Sequence, residues 1–303
     1  MTRPMDRRSF LAATAAAPIV AGARSAGAAE TSVGRRAALG SKIRLSCNFY
    51  TFNAPLRAGT MTLEEAIEFC AEVGFDAVDL TGYYFPGYPE APPEAYVYET
   101  RRRAFRLGLE VSGTGVRNDF TVANSTRRAA DVDLVKRWVQ VAAQLHAPMV
   151  RVFAGHGVPE GLTRAQVESQ VVTGLQECVA YGERNGVMIA LQNHNDLFKT
   201  AAEVLAIRER VSSKWFGLNV DVGSVRTGDP YEEIAQLAPF ALSWQIKESV
   251  YRREEEEKID LRRTFGILLD AGYRGYAPLE ILGPADPRPR IRRFFEEARE
   301  ALG

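Results

Sequence analysis

The chain has 303 residues, of which 46% are hydrophobic and 25% are charged, and this composition excludes an intrinsically disordered protein. Lysine and arginine number 38, as do aspartate and glutamate, so the balanced charge disfavours a protein built mainly to bind nucleic acid. The three cysteines, Cys47, Cys70 and Cys178, cannot form a full disulfide framework. The length allows either two ordinary domains or one α/β barrel.

The first 29 residues carry a net charge of +3, which leaves −3 on the rest of the chain. A twin-arginine pair lies at 7–8, an apolar run follows over 10–20, and Ala-Gly-Ala at 26–28 is typical of a cleavage site. The apolar run is shorter than the ~20 residues that span a bilayer. The sequence therefore predicts a twin-arginine signal peptide over 1–29 and a linker over 30–41. It also predicts a periplasmic or otherwise exported location, with the twin-arginine export machinery as a partner.

Beyond the linker, short apolar runs alternate with longer stretches in which apolar residues recur at helical spacing. The predicted strands are 43–48, 77–81, 109–114, 148–154, 187–193, 216–221, 242–247 and 276–282. The predicted helices are 63–73, 94–106, 132–145, 164–185, 201–211, 230–237, 261–271 and 289–302. Thr62, with Glu65 three residues later, is typical of a capping box at the start of the first helix. The acidic run 254–257 is expected to be a solvated loop that leads into a helix.

Eight strand–helix units predict an α/β fold, a (β/α)8 TIM barrel with eight parallel strands, over 42–303. The strands are continuous apolar runs, as expected for parallel strands that are covered on both faces. A doubly wound open sheet is the alternative. That fold usually carries a glycine-rich phosphate loop after its first strand, whereas residues 48–52 contain no glycine, and we expect no nucleotide cofactor. No stretch after the signal is apolar over a long enough run to predict a membrane span.

Polar and ionisable side chains follow the carboxyl ends of the predicted strands, where barrel enzymes carry their chemistry. A purely structural barrel gives no reason for them, because burying such groups without partners is costly. The predicted substrate-binding residues are Asn48, Tyr83, Tyr84, Arg117, His156, Asn193 and Glu248. Tyr83 and Tyr84 offer faces for sugar rings, and Arg117 can hold an anion or hydroxyl groups. Loop packing for the tyrosines and an ion pair with Asp119 for Arg117 are the structural alternatives.

Six segments near the strand ends together resemble the xylose isomerase-like TIM-barrel superfamily, and more closely its exported sugar phosphate isomerase/epimerase branch. They are LQNHND at 191–196, NVDVGS at 219–224, DPY at 229–231, WQIKE at 244–248, GYRGY at 272–276 and PLE at 278–280. The resemblance covers about 43–300 and implies a small-molecule sugar substrate. It also implies a reaction that starts with removal of a proton next to a carbonyl, which gives an enediolate.

The resemblance also implies a divalent metal ion, Mn2+ or Mg2+, which the superfamily binds through Glu, Asp, His and Glu on strands five to eight. The matching positions here are Gln192, Asp221, Gln245 and Glu280, so two of the four ligands differ. Amide oxygens still suit a hard cation, but the loss of one carboxylate and of the imidazole predicts weaker binding. A metal-free site, in which Gln192 and Gln245 bond directly to sugar hydroxyls, is the alternative.

The substitutions also change the expected catalytic groups, since the first and last glutamates of the superfamily site transfer the protons. Gln192 cannot accept a proton, so Glu280 is the predicted base. His194, two residues beyond Gln192, is its predicted partner because histidine titrates near neutrality. Lys247 is expected to face inward and to stabilise an enolate oxygen, or to pair with a carboxylate of the site.

Three functions are compatible with these residues. The leading prediction is an exported carbohydrate isomerase or epimerase. A lyase that eliminates the aglycone from 3-keto-glycosides shares the same first step, and the loss of one base makes such a one-base reaction more credible. A non-catalytic sugar-binding barrel is the third. It is disfavoured by the retention of four polar residues at the strand ends, Glu280, Asp221, Lys247 and His194.

Overall fold

The computed structural model describes residues 43–303, in which eight parallel strands close into a barrel. We label the barrel strands in chain order. They are β1 (Arg44–Asn48), β2 (Ala77–Thr81), β3 (Glu110–Gly115), β4 (Met149–Val152), β5 (Met188–Gln192), β6 (Phe216–Asp221), β7 (Ala241–Lys247) and β8 (Tyr276–Glu280). Each strand pairs with its neighbour in sequence, and β8 pairs with β1, so the predicted (β/α)8 barrel is confirmed. The predicted signal peptide and linker lie outside the described residues.

Helices follow the strands and cover the outside of the barrel. They are Asn53–Ala58, Leu63–Val73, Glu94–Arg106, Ser125–Leu145, Arg164–Arg184, Ala201–Arg210, Pro230–Leu237, Leu261–Asp270 and Arg288–Leu302. The predicted capping box is present, since the Thr62 hydroxyl accepts from the Glu65 amide and the Glu65 carboxylate accepts from the Thr62 amide. Within residues 43–303, no helix combines the length and the apolar character needed to cross a membrane.

One helix begins earlier than its apolar pattern indicates. The prediction started at 132, whereas the helix covers Ser125–Leu145. Residues 125–131 are polar apart from two alanines and carry no apolar period, and the helix is instead started by its cap. The Asn124 side chain accepts a hydrogen bond from the Arg127 amide at 3.0 Å. An N-cap bond of this kind satisfies an amide that the first turn leaves without a partner.

The acidic run that we expected to be a solvated loop forms an antiparallel hairpin instead, and that prediction was wrong. Its strands are Ser249–Arg252 and Glu255–Lys258. Glutamate has a low strand propensity, but bonds between side chains of the two strands compensate here. Arg252 donates to Glu257 at 2.8 Å, and the Ser249 hydroxyl donates to Glu256 at 2.6 Å.

The two-residue period of the strands sorts polar from apolar side chains at the top of the barrel. On β7, Gln245 and Lys247 point into the barrel, while Ile246 between them is fully buried against the helices. On β6, Asn219 and Asp221 point inward in the same way. The carboxyl end of the barrel interior is therefore lined with ionisable and amide groups. The apolar core lies mainly between strands and helices.

Candidate active site

A cavity of about 480 Å³ opens at the carboxyl ends of the barrel strands. Gln192, Gln245, Glu280 and Arg151 on its wall are each at most 5% exposed, and they form the floor of the cavity. His194 lies at the rim, with 43% of its side chain exposed. The cavity thus combines a buried, charged floor with a more exposed rim, at the face where barrel enzymes place their catalytic groups.

The ammonium group of Lys247 lies between two buried carboxylates. Its Nζ is 2.7 Å from Oδ2 of Asp221 and 3.6 Å from Oε1 of Glu280. The strand register explains this placement, because Lys247 lies beside Glu280 across the β7–β8 pair. Both carboxylates are at most 1% exposed, so their charges depend on the lysine rather than on water.

Two glutamines complete the floor, and each turns its amide nitrogen toward a carboxylate. Gln192 donates from Nε2 to Asp221 at 2.7 Å, while its Oε1 accepts from Arg151 at 3.2 Å. Gln245 donates from Nε2 to Glu280, while its Oε1 accepts from Asn219 at 3.1 Å. Because each oxygen faces an N–H donor and each nitrogen faces a carboxylate, the orientation of both amides is fixed.

The two carboxyl groups differ in proton affinity. Burial raises the pKa of Glu280, and the Lys247 ammonium only partly offsets that effect. Burial also opposes the charge on Asp221, but there Lys247 outweighs it and holds the pKa of that carboxyl below its ordinary value. A bond from the Gly223 amide at 3.0 Å further stabilises the Asp221 carboxylate. Glu280 lines the cavity and Asp221 does not, so Glu280 is placed to exchange a proton with a substrate.

Replacing Glu280 with glutamine (Glu280→Gln) should stabilise the folded protein at neutral pH. Its raised pKa means that the folded state holds this proton more tightly than the unfolded chain, where the ordinary value is 4.5. The contribution of the Glu280 carboxyl to the free energy of unfolding is therefore fully present below pH 4.5. It is lost as the pH rises through the pKa of the folded state. A neutral glutamine suffers no such loss. Urea unfolding over a pH series should show the variant above wild type at neutral pH and level with it in acid.

Asp221→Asn is the matched variant, and we expect it to change the stability of the folded protein in the opposite direction. The folded pKa of Asp221 lies below its ordinary 3.8, so its stabilisation is present above that value and is lost as the pH falls through the folded pKa. This variant should be less stable than wild type at neutral pH, and the difference should disappear in strong acid. If both variants were more stable than wild type at neutral pH, or both less stable, the opposite pKa directions of Glu280 and Asp221 would be wrong.

A second charged cluster, which the site residues predicted from the sequence do not include, lies next to the floor. Arg151 is 1% exposed, donates to Gln192, and interacts electrostatically with Tyr83 and Asp79. Asp79 is also 1% exposed and accepts from Asn48 at 3.0 Å. A signal was available in the sequence, since an arginine interrupts the otherwise apolar strand β4 and a buried arginine needs acidic or polar partners.

At the rim, two histidines share one carboxylate. Nδ1 of His194 lies 2.7 Å from Oδ2 of Asp196, and Nδ1 of His156 lies 3.7 Å from the same oxygen. The ring of His194 also packs edge-on against Phe153, with 5.1 Å between centroids. The short contact to Asp196 orients the His194 ring and favours the tautomer that carries its proton on Nδ1.

The structure brings most of the predicted site residues to one cavity. Those on its wall are Tyr83, Arg117, His156, Gln192, His194, Gln245, Lys247 and Glu280. Asn48, Tyr84, Asn193, Asp221 and Glu248 are not on this wall. Asn193 instead fixes Asp221 by bonding to both its backbone amide and its carbonyl, at 2.7 and 3.0 Å. Tyr84 donates to Asn53, and Glu248 pairs with Arg290.

The four residues that match the superfamily's metal ligands do not fit a metal ion in this arrangement. A divalent cation needs converging oxygen atoms, whereas Gln192 and Gln245 present N–H groups to the carboxylates. The carboxylates of Asp221 and Glu280 already face the Lys247 ammonium. Across residues 43–303, no group of three or more His, Cys, Asp or Glu side chains is arranged to hold a metal.

Fold and site together define a TIM barrel with a buried cluster of ionisable side chains at the carboxyl ends of its strands. Residues 67–299 match the family model of the xylose isomerase-like TIM barrel, and the match covers more than half of the chain. The chain belongs to this family, as the resemblance of its sequence motifs predicted.

A curated relative, the C-glycoside deglycosidase alpha subunit of Arthrobacter globiformis, is 26% identical over 197 residues, which are 63% of this chain and 50% of the relative. This chain therefore spans about half the length of that relative.

Several solved structures share the fold. D-psicose 3-epimerase in the presence of D-fructose has 16% identity and a TM-score of 0.72, over 86% of this chain and 100% of its own. The 3-keto-D-glucoside 4-epimerase of E. coli has 14% identity and a TM-score of 0.68, also over 86% and 100%. A xylose isomerase-like barrel protein of Mycobacterium smegmatis in complex with magnesium has 16% identity and a TM-score of 0.65, over 87% and 99%. Sugar epimerases and a magnesium-bound protein are thus among the chain's structural neighbours.

Proposed function

We propose that this chain is a sugar isomerase or epimerase that removes a proton next to the carbonyl of a keto-sugar. The observation that carries the proposal is Glu280, a buried carboxyl of raised pKa on the cavity wall, with the Lys247 ammonium 3.6 Å away. When a base removes this proton, negative charge develops on the carbonyl oxygen, and a nearby cation or hydrogen-bond donor stabilises it. The floor of this cavity holds both groups.

In this mechanism the Glu280 carboxylate takes the proton from the carbon next to the carbonyl. The electron pair of the broken C–H bond forms the C=C bond of the enediolate, and the carbonyl oxygen becomes negatively charged. The Lys247 ammonium stabilises that oxygen, because the field of a largely buried charge is screened less than in bulk water. Arg151 and the two floor glutamines supply polar groups for the remaining sugar oxygens.

Reprotonation decides the product. His194 follows β5 whereas Glu280 ends β8, and three steps around the eight-stranded barrel separate these strands. A proton delivered by His194 to the opposite face of the enediolate gives the epimer. A proton returned by Glu280 to the neighbouring carbon gives the aldose or ketose isomer. The Asp196 contact supports the first role, since it fixes the orientation of the His194 ring.

A lyase acting on 3-keto-glycosides is the second candidate, and the position of His194 favours it. The side chain is 43% exposed, whereas that of Glu280 is 2% exposed, so the acid lies nearer to solvent than the base. An acid at the rim is suited to protonate an aglycone that leaves toward water while the enediolate collapses. The sequence similarity to a C-glycoside deglycosidase subunit supports the same candidate.

The test is incubation of the purified protein with simple ketoses and with 3-keto-glycosides in D2O, followed by NMR. We expect deuterium at the carbon next to the carbonyl. Accumulation of an epimer or isomer supports the leading proposal, and release of the aglycone supports the lyase. The absence of exchange with every compound would leave a sugar-binding barrel without catalysis.

We also propose that the chain is exported, on the basis of the twin-arginine pair at 7–8 and the apolar run at 10–20. Export favours an unphosphorylated sugar as the substrate, since phosphorylated sugars are scarce outside the cytoplasm. Cell fractionation tests this proposal. Loss of periplasmic protein when both arginines are changed to lysine is the expected result, and unchanged export would contradict it.

A further inference from the structure

We propose that Lys247 is a built-in cation that takes the place of a divalent metal ion at the floor of the cavity, so that the site works without metal. That the lysine, and no metal ion, lies between the two carboxylates is a claim about binding and does not depend on which reaction the protein catalyses. The claim that the ammonium replaces the catalytic effect of a metal rests on the proposed function above. Three observations about the floor support the proposal.

The first observation is the direction in which the donors point. Every group that faces the carboxylates of Asp221 and Glu280 across the floor donates a hydrogen bond or carries a positive charge, namely Gln192, Gln245 and Lys247. The glutamine oxygens face away, toward Arg151 and Asn219. This is the arrangement that solvates two carboxylates around an ammonium. A metal ion would require both amides to turn over and to leave their present donors.

The second observation is the space made for the lysine stem. Gly223 follows β6 closely, and a Cβ atom at this position would lie only 2.9 Å from Cδ of Lys247. The backbone amide of Gly223 also donates to Asp221 at 3.0 Å. The same short segment therefore fixes the carboxylate and leaves room for the side chain that pairs with it.

The third observation is the charge beside the two carboxylates. Asp221 and Glu280 carry two negative charges when both are ionised, and the Lys247 ammonium lies between them. The Arg151 guanidinium, which also faces the buried Asp79, acts on Glu280 as well. A divalent ion between the two carboxylates would lie close to the ammonium at a buried site. The like-charge repulsion there is little screened, so the ion and the lysine compete for one place.

The experiment compares four purified full-length chains: wild type, Gln192→Glu, Lys247→Ala and the double variant with both changes. Mn2+ binding is measured by equilibrium dialysis without substrate, and circular dichroism checks that each chain is folded. We expect no stoichiometric Mn2+ on wild type or on Gln192→Glu, in which the lysine remains. Lys247→Ala should bind one ion, and the double variant should bind it at least about tenfold more tightly, because it adds a third carboxylate.

Binding of one Mn2+ by wild type as tightly as by Lys247→Ala would overturn the proposal, as would a folded double variant that binds none. If Lys247→Ala is poorly folded alone, Mn2+ should raise its melting temperature while leaving that of wild type unchanged, and equal shifts would again overturn the proposal. These readouts need no substrate. A failure of the proposed reaction, seen as absent deuterium exchange, is therefore distinct from a failure of this inference.

Discussion

Glu280→Gln should lower the rate of deuterium exchange and of turnover about a thousandfold, within the ~10² to 10⁴-fold range that general base catalysis contributes. Glutamine has nearly the same shape and keeps an oxygen that accepts from Gln245, so the floor stays packed. Only the ability to take the proton is lost. We therefore expect kcat to fall while KM changes little, because the contacts that bind the sugar remain.

The control for this variant is Glu233→Gln, which removes a carboxylate away from the cavity. Glu233 is half-buried and accepts from the Ala201 amide and from Thr227, and a glutamine oxygen can take over one of these bonds. Its exchange rate should stay close to that of wild type. Exchange by Glu280→Gln at the wild-type rate would remove Glu280 as the base, whatever the substrate.

Arg151→Met should lower the free energy of unfolding by about 3 kcal/mol, the lower end of the cost of removing one partner from a buried ion pair. Methionine fills much of the same volume, so the main loss is charge and hydrogen bonding. Asp79 would remain buried without its nearby cation, and Gln192 Oε1 would lose its donor. For a domain of this size such a loss corresponds to a melting temperature about 6–12 °C lower.

The control for the stability variant is Arg102→Met, since Arg102 is an exposed arginine that pairs with Glu99 on a helix surface. An exposed ion pair contributes little to the free energy of unfolding, so its loss should leave the melting temperature close to that of wild type. The penalty of Arg151→Met should also shrink as the pH falls toward the ordinary Asp pKa of 3.8, because protonation removes the uncompensated charge on Asp79. A penalty that stays constant with pH would indicate lost packing instead.

The elements of the barrel were predictable because each has a strong period of its own. The helix Leu63–Val73 and the strand Phe216–Asp221 have the bounds that the apolar pattern and the caps indicate. The errors fall where packing or capping replaces the pattern. The start of the helix at Ser125 depends on one side chain, Asn124, and the hairpin after β7 depends on charged pairs across its strands.

The sequence predicted which residues line the site better than it predicted what each of them contacts. Counting from the strand ends identified Gln192, Gln245, Lys247 and Glu280, because the strand period and the barrel end determine which side chains converge. Spacing did not reveal that Asp221 lies behind the cavity wall, nor that Arg151 and Asp196 belong to the site. Those facts depend on which neighbouring strand each side chain reaches.

Periodicity and residue type are enough to predict the barrel, the face that carries the polar residues and the two departures from the superfamily's metal ligands. The consequence of those departures depends on the folded arrangement of the site. Two amides that could offer oxygen to a metal instead offer nitrogen to carboxylates, and the ammonium of Lys247 lies between the acids. The physical reason is that hydrogen-bond direction and charge balance belong to groups from several strands at once, and no single strand contains that information.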